Sequence, residues 1–421
     1  MCPSAATAMT TYRMAPVDAQ FYWMSAKIPN DQFLLYAFAG EPAVLGQAID
    51  ELRGRAQACQ DLTMRVDDGS ILTYPKWVPA AVEPAHVVAH QLADGTWRDC
   101  LEAVVRLAEH QLDIRRMPWR LHVFTRVRGI PTSTAPGTVA VMQVAHALAD
   151  GARAAALAAW LFGRTAPVPE VAVPSPGCLA RRAIVAARTH RKMISDTRAG
   201  RLPPPVGPRP PLSTNAAPAG ARAVRTLVRH RSQLGGPTVT VAVLAAVSAA
   251  LSAHLGESAD SLGAEVPMVK SHARQAHNHF SNLVVGLYPQ LPWEARTRRI
   301  AADLANGRRR AEHPAARSAD RAFAAVPAPL LRWGVAQFDA DACPTMVSGN
   351  TVVSSVNRGA GDLHFGAAPV LLTTGYPALS PAMGLTHGVH GIGDTVAISV
   401  HAAESAVGDI DAYLQRLDAA L

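Results

Sequence analysis

Apolar positions in this chain recur at two periods, and the alternation between them predicts a succession of helices and strands. Residues 43–60 place Leu45, Ile49, Leu52 and Ala56 three or four apart, the spacing of one helix face. Residues 96–111 repeat the pattern with Leu101, Val104, Val105, Leu107 and Ala108. Residues 16–24 open with Pro16 and Asp18 and carry Phe21, Tyr22 and Met24, which predicts another helix. Between these lie short apolar runs at 32–39, 87–92 and 119–126, which read as strands. Residues 138–145 are almost continuously apolar, as in a strand buried on both faces. The run 151–162 is so poor in charge that it predicts a largely buried helix.

The pattern breaks between residues 166 and 220. Pro167, Pro169, Pro174 and Pro176 on one side, and Pro203, Pro204, Pro205, Pro208, Pro210 and Pro211 on the other, bracket a basic segment. It holds Arg181, Arg182, Arg188, Arg191, Lys192, Arg198 and Arg201. Prolines at both ends stop regular structure, so this stretch predicts a crossover linker with one basic helix. Its arginines form a solvated face or meet anionic headgroups or phosphate. Alternation resumes at 221, with strands expected at 222–230, 263–269, 282–288, 350–356 and 395–401. Helices are expected at 239–254, 300–312 and 409–421, and Gly384, Gly388, Gly391 and Gly393 predict a glycine-rich turn before the last strand. The chain thus divides into an α/β unit at 1–165, the linker at 166–220 and a second α/β unit at 221–421. A small-molecule cleft is expected where the two units meet.

Composition narrows the function classes. With 49% hydrophobic and 17% charged residues, the 421-residue chain can bury large cores, which excludes a disordered protein. A net charge of +8 favours an acidic partner, such as a nucleotide-bearing compound or an anionic membrane surface. Nucleic acid is set aside, because no zinc-finger spacing, RNA-recognition signature or basic groove with interleaved aromatics is present. Cys2, Cys59, Cys100, Cys178 and Cys343 are odd in number and without Cys-x-x-Cys spacing. That argues against a disulfide framework and against structural zinc, and predicts a reducing, cytoplasmic setting. No basic region followed by an apolar stretch opens the sequence, so no secretory signal is expected. The apolar run 239–255 contains Thr240, Ser248 and Ser252 and falls short of the roughly 20 residues of a membrane span. It predicts a buried core helix.

One segment carries candidate chemistry: Val144-Ala145-His146-Ala147-Leu148-Ala149-Asp150-Gly151. A buried strand delivers His146 to its end, and the chain then turns into an apolar helix. A neutral imidazole in that position can take a proton from an attacking hydroxyl near pH 7. Asp150 has two structural roles open to it: capping the helix that starts at Gly151, or pairing with an arginine that holds the loop. Gly151 permits close packing or an unusual dihedral.

Several stretches, taken in order, resemble the wax ester synthase/diacylglycerol acyltransferase family of the chloramphenicol-acetyltransferase-like and condensation-domain superfamily. His146, Asp150 and Gly151 match the last three fixed positions of its His-His-x-x-x-Asp-Gly signature, with Ala145 in place of the first histidine. Ala15-Pro16-Val17-Asp18-Ala19-Gln20-Phe21 is similar to the family's opening Ser-Pro-x-Asp-x-x-Phe. Trp77-Val78 resembles the tryptophan that precedes a strand in the family, and Leu112-Asp113 with Pro118-Trp119 its Leu-Asp … Pro-Leu-Trp stretch. Val266-Pro267-Met268, Ser281-Asn282 and Leu291-Pro292 resemble Val-Pro-Val … Gly-Asn … Leu-Pro, and Ser354-Ser355-Val356 with Gly359 its Ser-Asn-Val-Pro-Gly turn. Thr240-Val241 stands where the family has Asn-Asp, and Ser281 where it has glycine.

The resemblance implies two chloramphenicol-acetyltransferase-like halves, each a mixed sheet with flanking helices, enclosing a channel with His146 at its middle. It implies an O-acyltransferase that moves a fatty acyl group from acyl-CoA, as co-substrate, to a long-chain alcohol or a diacylglycerol. His146 would be the base, with Asp150 and Gly151 supporting the site. Asn282, Ser354 and Ser355 would be substrate-binding or oxyanion-facing residues. No cofactor or metal is implied. The expected partners are acyl-CoA, a hydroxyl-bearing lipid and the surface of a membrane or lipid droplet. Carrier-protein thioesters, sugar or polyketide hydroxyls, and a catalytically silent lipid- or acyl-CoA-binding protein are the alternatives.

Other candidates are weaker. His86 and His90 are four apart, but no Glu follows His86 as a zinc-binding helix requires, so a surface or strand pair is expected. His272, His277 and His279 cluster with Arg274 in a polar loop and read as solvated loop histidines rather than a metal site, with a cleft-lining role beside Asn282, implied by the resemblance, as the alternative. No Gly-x-Ser-x-Gly elbow is present for a serine hydrolase.

Overall fold

The computed structural model describes residues 11–172, 177–256 and 261–421; Cys2, Pro174 and Pro176 lie outside them. The chain begins with β1 (Tyr12–Arg13), α1 (Pro16–Ser25), β2 (Gln32–Ala39) and α2 (Leu45–Gln57). Next come β3 (Met64–Asp67), β4 (Lys76–Pro79), β5 (Val87–His90), α3 (Trp97–Ala108), β6 (Trp119–Val127) and β7 (Gly137–Val144). Two helices follow, α4 (Gly151–Leu161) and the basic α5 (Leu179–Arg198). Beyond the prolines run β8 (Arg222–His230), α6 (Val239–Leu255), β9 (Gly263–Val269), β10 (Phe280–Gly286) and α7 (Trp293–Glu312). Then α8 (Pro314–Phe323), α9 (Ala328–Ala336), β11 (Thr351–Asn357), β12 (His364–Phe365), β13 (Ala368–Gly375), β14 (Leu385–Ile392) and β15 (Thr395–Ala403) lead to α10 (Glu404–Val407) and α11 (Ile410–Ala419).

These elements build two mixed six-stranded sheets flanked by helices, with strand orders β12-β13-β2-β7-β6-β5 and β10-β9-β11-β14-β15-β8. The central strand β7 is buried at every position, as its unbroken apolar run requires. Helix α4 is capped by the Asp150 side chain, which accepts the Arg153 backbone N–H, and packs its alanines into the core of the first sheet. The apolar run at 239 forms α6, capped by Thr238 and buried from Val241 to Leu251 in the core of the second sheet. Among the described residues no helix is long and apolar enough to cross a membrane.

Three features differ from the sequence expectation. First, β13 pairs with β2 (Gly375 opposite Leu34, Thr373 opposite Tyr36), so residues near 370 complete the first sheet although they follow most of the second. Second, Gly388 and Gly391 are not in a turn; they lie inside β14, a fully buried strand between β11 and β15. A side chain on Gly388 would collide with Ser399 and with the Gly375 carbonyl, so glycine there serves close strand packing rather than a bend. Only Gly393, at φ 55°, makes the hairpin turn into β15. Third, α7 starts at Trp293 and β10 at Phe280, each earlier than expected, and α8 and α9 were not anticipated.

Candidate active site

The site begins where β7 ends. Past Val144, the Ala145 N–H donates to the Pro118 carbonyl at 2.9 Å, and the Leu148 N–H closes a turn onto the Ala145 carbonyl at 2.9 Å. The turn swings His146 off the sheet into a cavity of about 580 Å³. Gln32 and Phe33 of β2 wall it from the first sheet, and Ser354, Ser355 and Val356 of β11 from the second. His146 is therefore half-buried among neighbours that are otherwise buried. Phe21 stacks on its ring, with centroids 4.1 Å apart and planes 4° from parallel, and Phe280 lies 5.8 Å away.

His146 Nδ1 lies 2.8 Å from Asn278 Oδ1. The orientation of that amide is fixed by what surrounds its other end. Asn278 Nδ2 donates to Asp18 Oδ1 at 2.9 Å and to the His146 carbonyl at 2.7 Å, both of which are acceptors. The amide oxygen must then face the imidazole, so Nδ1 carries the proton and Nε2 keeps its lone pair. Asp18 also accepts the backbone N–H groups of His277 (2.9 Å) and Asn278 (2.8 Å). Burial pushes the Asp18 carboxyl up to about 7, against the hydrogen bonds that favour its charged form. Burial likewise pulls the His146 imidazole below its ordinary value, which keeps it neutral near pH 7.

Asp150 fills both roles left open by the sequence. Its Oδ1 caps α4, and its two oxygens hold the Arg274 guanidinium at 2.7 and 3.3 Å. Its Oδ2 also accepts the His279 N–H at 2.8 Å. The pair is almost wholly buried, with side-chain exposures of 8% and 3%. It ties the loop carrying Asn278 to the helix that follows His146. Behind it, Arg153 pairs with Asp61 at 2.6 Å, and His277 Nε2 lies 3.2 Å from the Tyr12 hydroxyl. Gly151 faces the cavity, where a Cβ would stand 3.6 Å from the Val356 side chain.

Ser354 and Ser355 line the cavity, and Ser355 Oγ shares a 2.8 Å hydrogen bond with Thr240 Oγ1 at the start of α6. Asn282 does not join them. It sits on β10 with its amide on Glu265 Oε2 at 3.0 Å, exposed and outside the cavity wall. The asparagine that reaches His146 is Asn278, four residues earlier. The loop histidines are also not solvated: His277 and His279 are buried, because Asp18 and Asp150 draw their backbone inward. Among the described residues no three His, Cys, Asp or Glu side chains cluster as a metal would need. His86 is buried against Trp119, and His90 Nε2 meets His122 Nδ1 at 2.9 Å. Asp18, Asn278 and Arg274 are the residues that sequence reasoning did not place in the site. Asp18 stood in a recognised motif and Arg274 in the histidine-rich loop, whereas nothing local marks Asn278.

A scan against protein-family models finds no match, and a search of curated proteins finds none. Solved structures do match. The wax ester synthase/diacylglycerol acyltransferase from Marinobacter aquaeolei VT8 aligns over 97% of this chain and 98% of its own, at 17% identity and a TM-score of 0.62. The fold is chloramphenicol-acetyltransferase-like. A mutant starter condensation domain of rhizomide synthetase RzmA, in complex with C8-CoA and Leu-SNAC, shares this fold. It aligns over 98% of this chain and 94% of its own, at 16% identity and a TM-score of 0.58. At these identities the likeness is one of fold, and the chain is a divergent example of it.

Proposed function

We propose that the protein is an acyl-CoA-dependent O-acyltransferase with His146 as general base. The observation that carries this reading is the imidazole itself: in the cavity wall, with its pKa lowered by burial, and held through Nδ1 so that Nε2 keeps its lone pair. Nε2 takes the acceptor's hydroxyl proton as its oxygen attacks the thioester carbonyl. The C–O bond forms, the tetrahedral centre collapses, the C–S bond breaks, and the proton passes from Nε2 to the departing thiolate of coenzyme A. No covalent enzyme intermediate is needed. The oxyanion needs a donor, and the hydroxyls of Ser354, Ser355 and Thr240 in the wall are able to give one.

The acceptor is a lipid hydroxyl, in the class of long-chain alcohols or diacylglycerols. Apolar walls such as Phe33, Val266, Met268 and Leu304 suit alkyl chains. The exposed face of α5, with Arg181, Arg188 and Arg191 around Ile184, is the surface this reading sets against anionic lipid. The reading is tested by incubating the protein with pooled acyl-CoA donors and pooled alcohols, diacylglycerols and sugars, with products read by mass spectrometry. Ester formation from a lipid hydroxyl supports it; the absence of any ester with every pair overturns it.

A further inference from the structure

A buried cation without an anion stands in the wall of the same cavity. Arg358 follows β11 and is 5% exposed. Its Nη1 donates to Thr373 Oγ1, its Cζ lies 5.0 Å from the centroid of the Tyr36 ring, and its Nε has no hydrogen-bond partner. None of the carboxylates among the described residues forms an ion pair with it. The two in the cavity wall are committed elsewhere: Asp150 to Arg274, and Asp31 to the Leu112 N–H at 2.8 Å and the Gln143 amide at 2.7 Å. His390, on β14, lines the same wall, and its buried Nδ1 also lacks a partner.

Two glycines make room for these side chains. A Cβ on Gly375 would stand 3.0 Å from Arg358 Nη2 and 3.2 Å from His390 Cε1, and one on Gly388 would stand 2.5 Å from His390 Cε1. A guanidinium taken out of water without a counter-charge is costly, and the cost is recovered when an anion binds against it. Arg358 lies three residues beyond Ser355, about 10 Å along an extended chain. A medium-length chain can therefore react at one end near the serines and present its other end to Arg358.

We infer that Arg358 and His390 form a subsite for the carboxylate at the far end of a substrate chain whose reacting end lies at His146. Arg358 supplies charge-assisted hydrogen bonds, and His390 supplies a neutral polar neighbour. The carboxylate belongs either to the hydroxyl acceptor, as in an ω-hydroxy acid, or to the acyl group, as in a dicarboxylic acyl-CoA. This narrows the lipid-hydroxyl reading and rests on it only for which end reacts; the binding itself requires no turnover.

The test is calorimetric titration of the full chain and of H146A with two matched pairs: ω-hydroxydecanoate against its methyl ester, and the mono-CoA thioester of decanedioic acid against decanoyl-CoA. One carboxylate-bearing probe should bind at least about tenfold tighter than its neutral partner in both proteins, and R358Q should erase that difference. The first pair places the carboxylate on the acceptor, the second on the acyl chain. Equal binding within both pairs overturns the proposal, as does a preference that survives R358Q. The wild-type comparison stands alone if R358Q fails to fold, and R358M then supplies a neutral side chain of similar length. Carboxylate preference without turnover counts against acyl transfer alone, whereas turnover without preference counts against the subsite alone.

Discussion

Asn278 Oδ1 accepts the Nδ1–H of His146 across 2.8 Å, while the amide nitrogen of the same side chain is held by Asp18 and by the His146 carbonyl. Two contacts on one end of an amide thereby decide which nitrogen of an imidazole is basic. Asp18 does not line the cavity and bonds to Asn278, so it acts through Asn278 and is a positioning residue.

The neutral state of His146 sets the pH response. Its pKa is lowered by burial, so the imidazole stays basic below its ordinary value of about 6.5, and the acid limb of kcat/KM should lie under that pH. In N278D a carboxylate would face Nδ1 and favour the imidazolium, moving the limb upward by roughly one unit. N278A should cut kcat by about 10- to 100-fold with little change in KM, since the tautomer is no longer held. A pH–rate profile of the three proteins checks this; identical limbs contradict it.

Stability rests on the Asp150–Arg274 pair. D150A leaves a guanidinium buried without its partner and removes the cap of α4, so unfolding free energy should fall by roughly 3–5 kcal/mol. Urea denaturation measures it, and a loss below about 1 kcal/mol would show that the pair is not what ties the loop to the helix.

The fold and the site were unequally legible in the sequence. Strand β7 and helix α6 were readable because β7 is buried at every position and α6 along most of its length, and apolar runs announce that. Strand β14 was not, because its buried positions include His387, Gly388, His390 and Gly391, residues that read as a polar turn. The place of β13 beside β2 depends on strand pairing across more than three hundred residues. The placement of His146 and both structural roles of Asp150 were visible because the two residues sit next to an element boundary. Asn278 was not, since its relation to His146 exists only once two distant loops meet. Asn282 was favoured by motif, and three residues of loop and strand separate it from Asn278, the asparagine that meets His146.

Asp18 adds a pH-dependent stability term. Its folded pKa, about 7, exceeds the ordinary carboxyl value. Its contribution is full below about pH 4 and is lost as pH rises through 7, on the order of a few kcal/mol. Urea midpoints of wild type and D18N, taken across that window, should shift in favour of D18N as pH rises. A constant gap would contradict the raised carboxyl.

Lipid contact through α5 is open to a direct assay. The triple variant R181E/R188E/R191E should lose binding to phosphatidylglycerol vesicles, and wild-type binding should weaken with added salt. Equal co-sedimentation of the two proteins would remove α5 from that role.

The central claim is that His146 accepts the proton. It is tested most directly by the rate of coenzyme A thiol release from an acyl-CoA in the presence of an accepted alcohol, measured for wild type and H146A with acyl-CoA affinity determined in parallel. The account predicts a fall of about 10²- to 10⁴-fold in rate with affinity retained. A rate within a few-fold of wild type would contradict it.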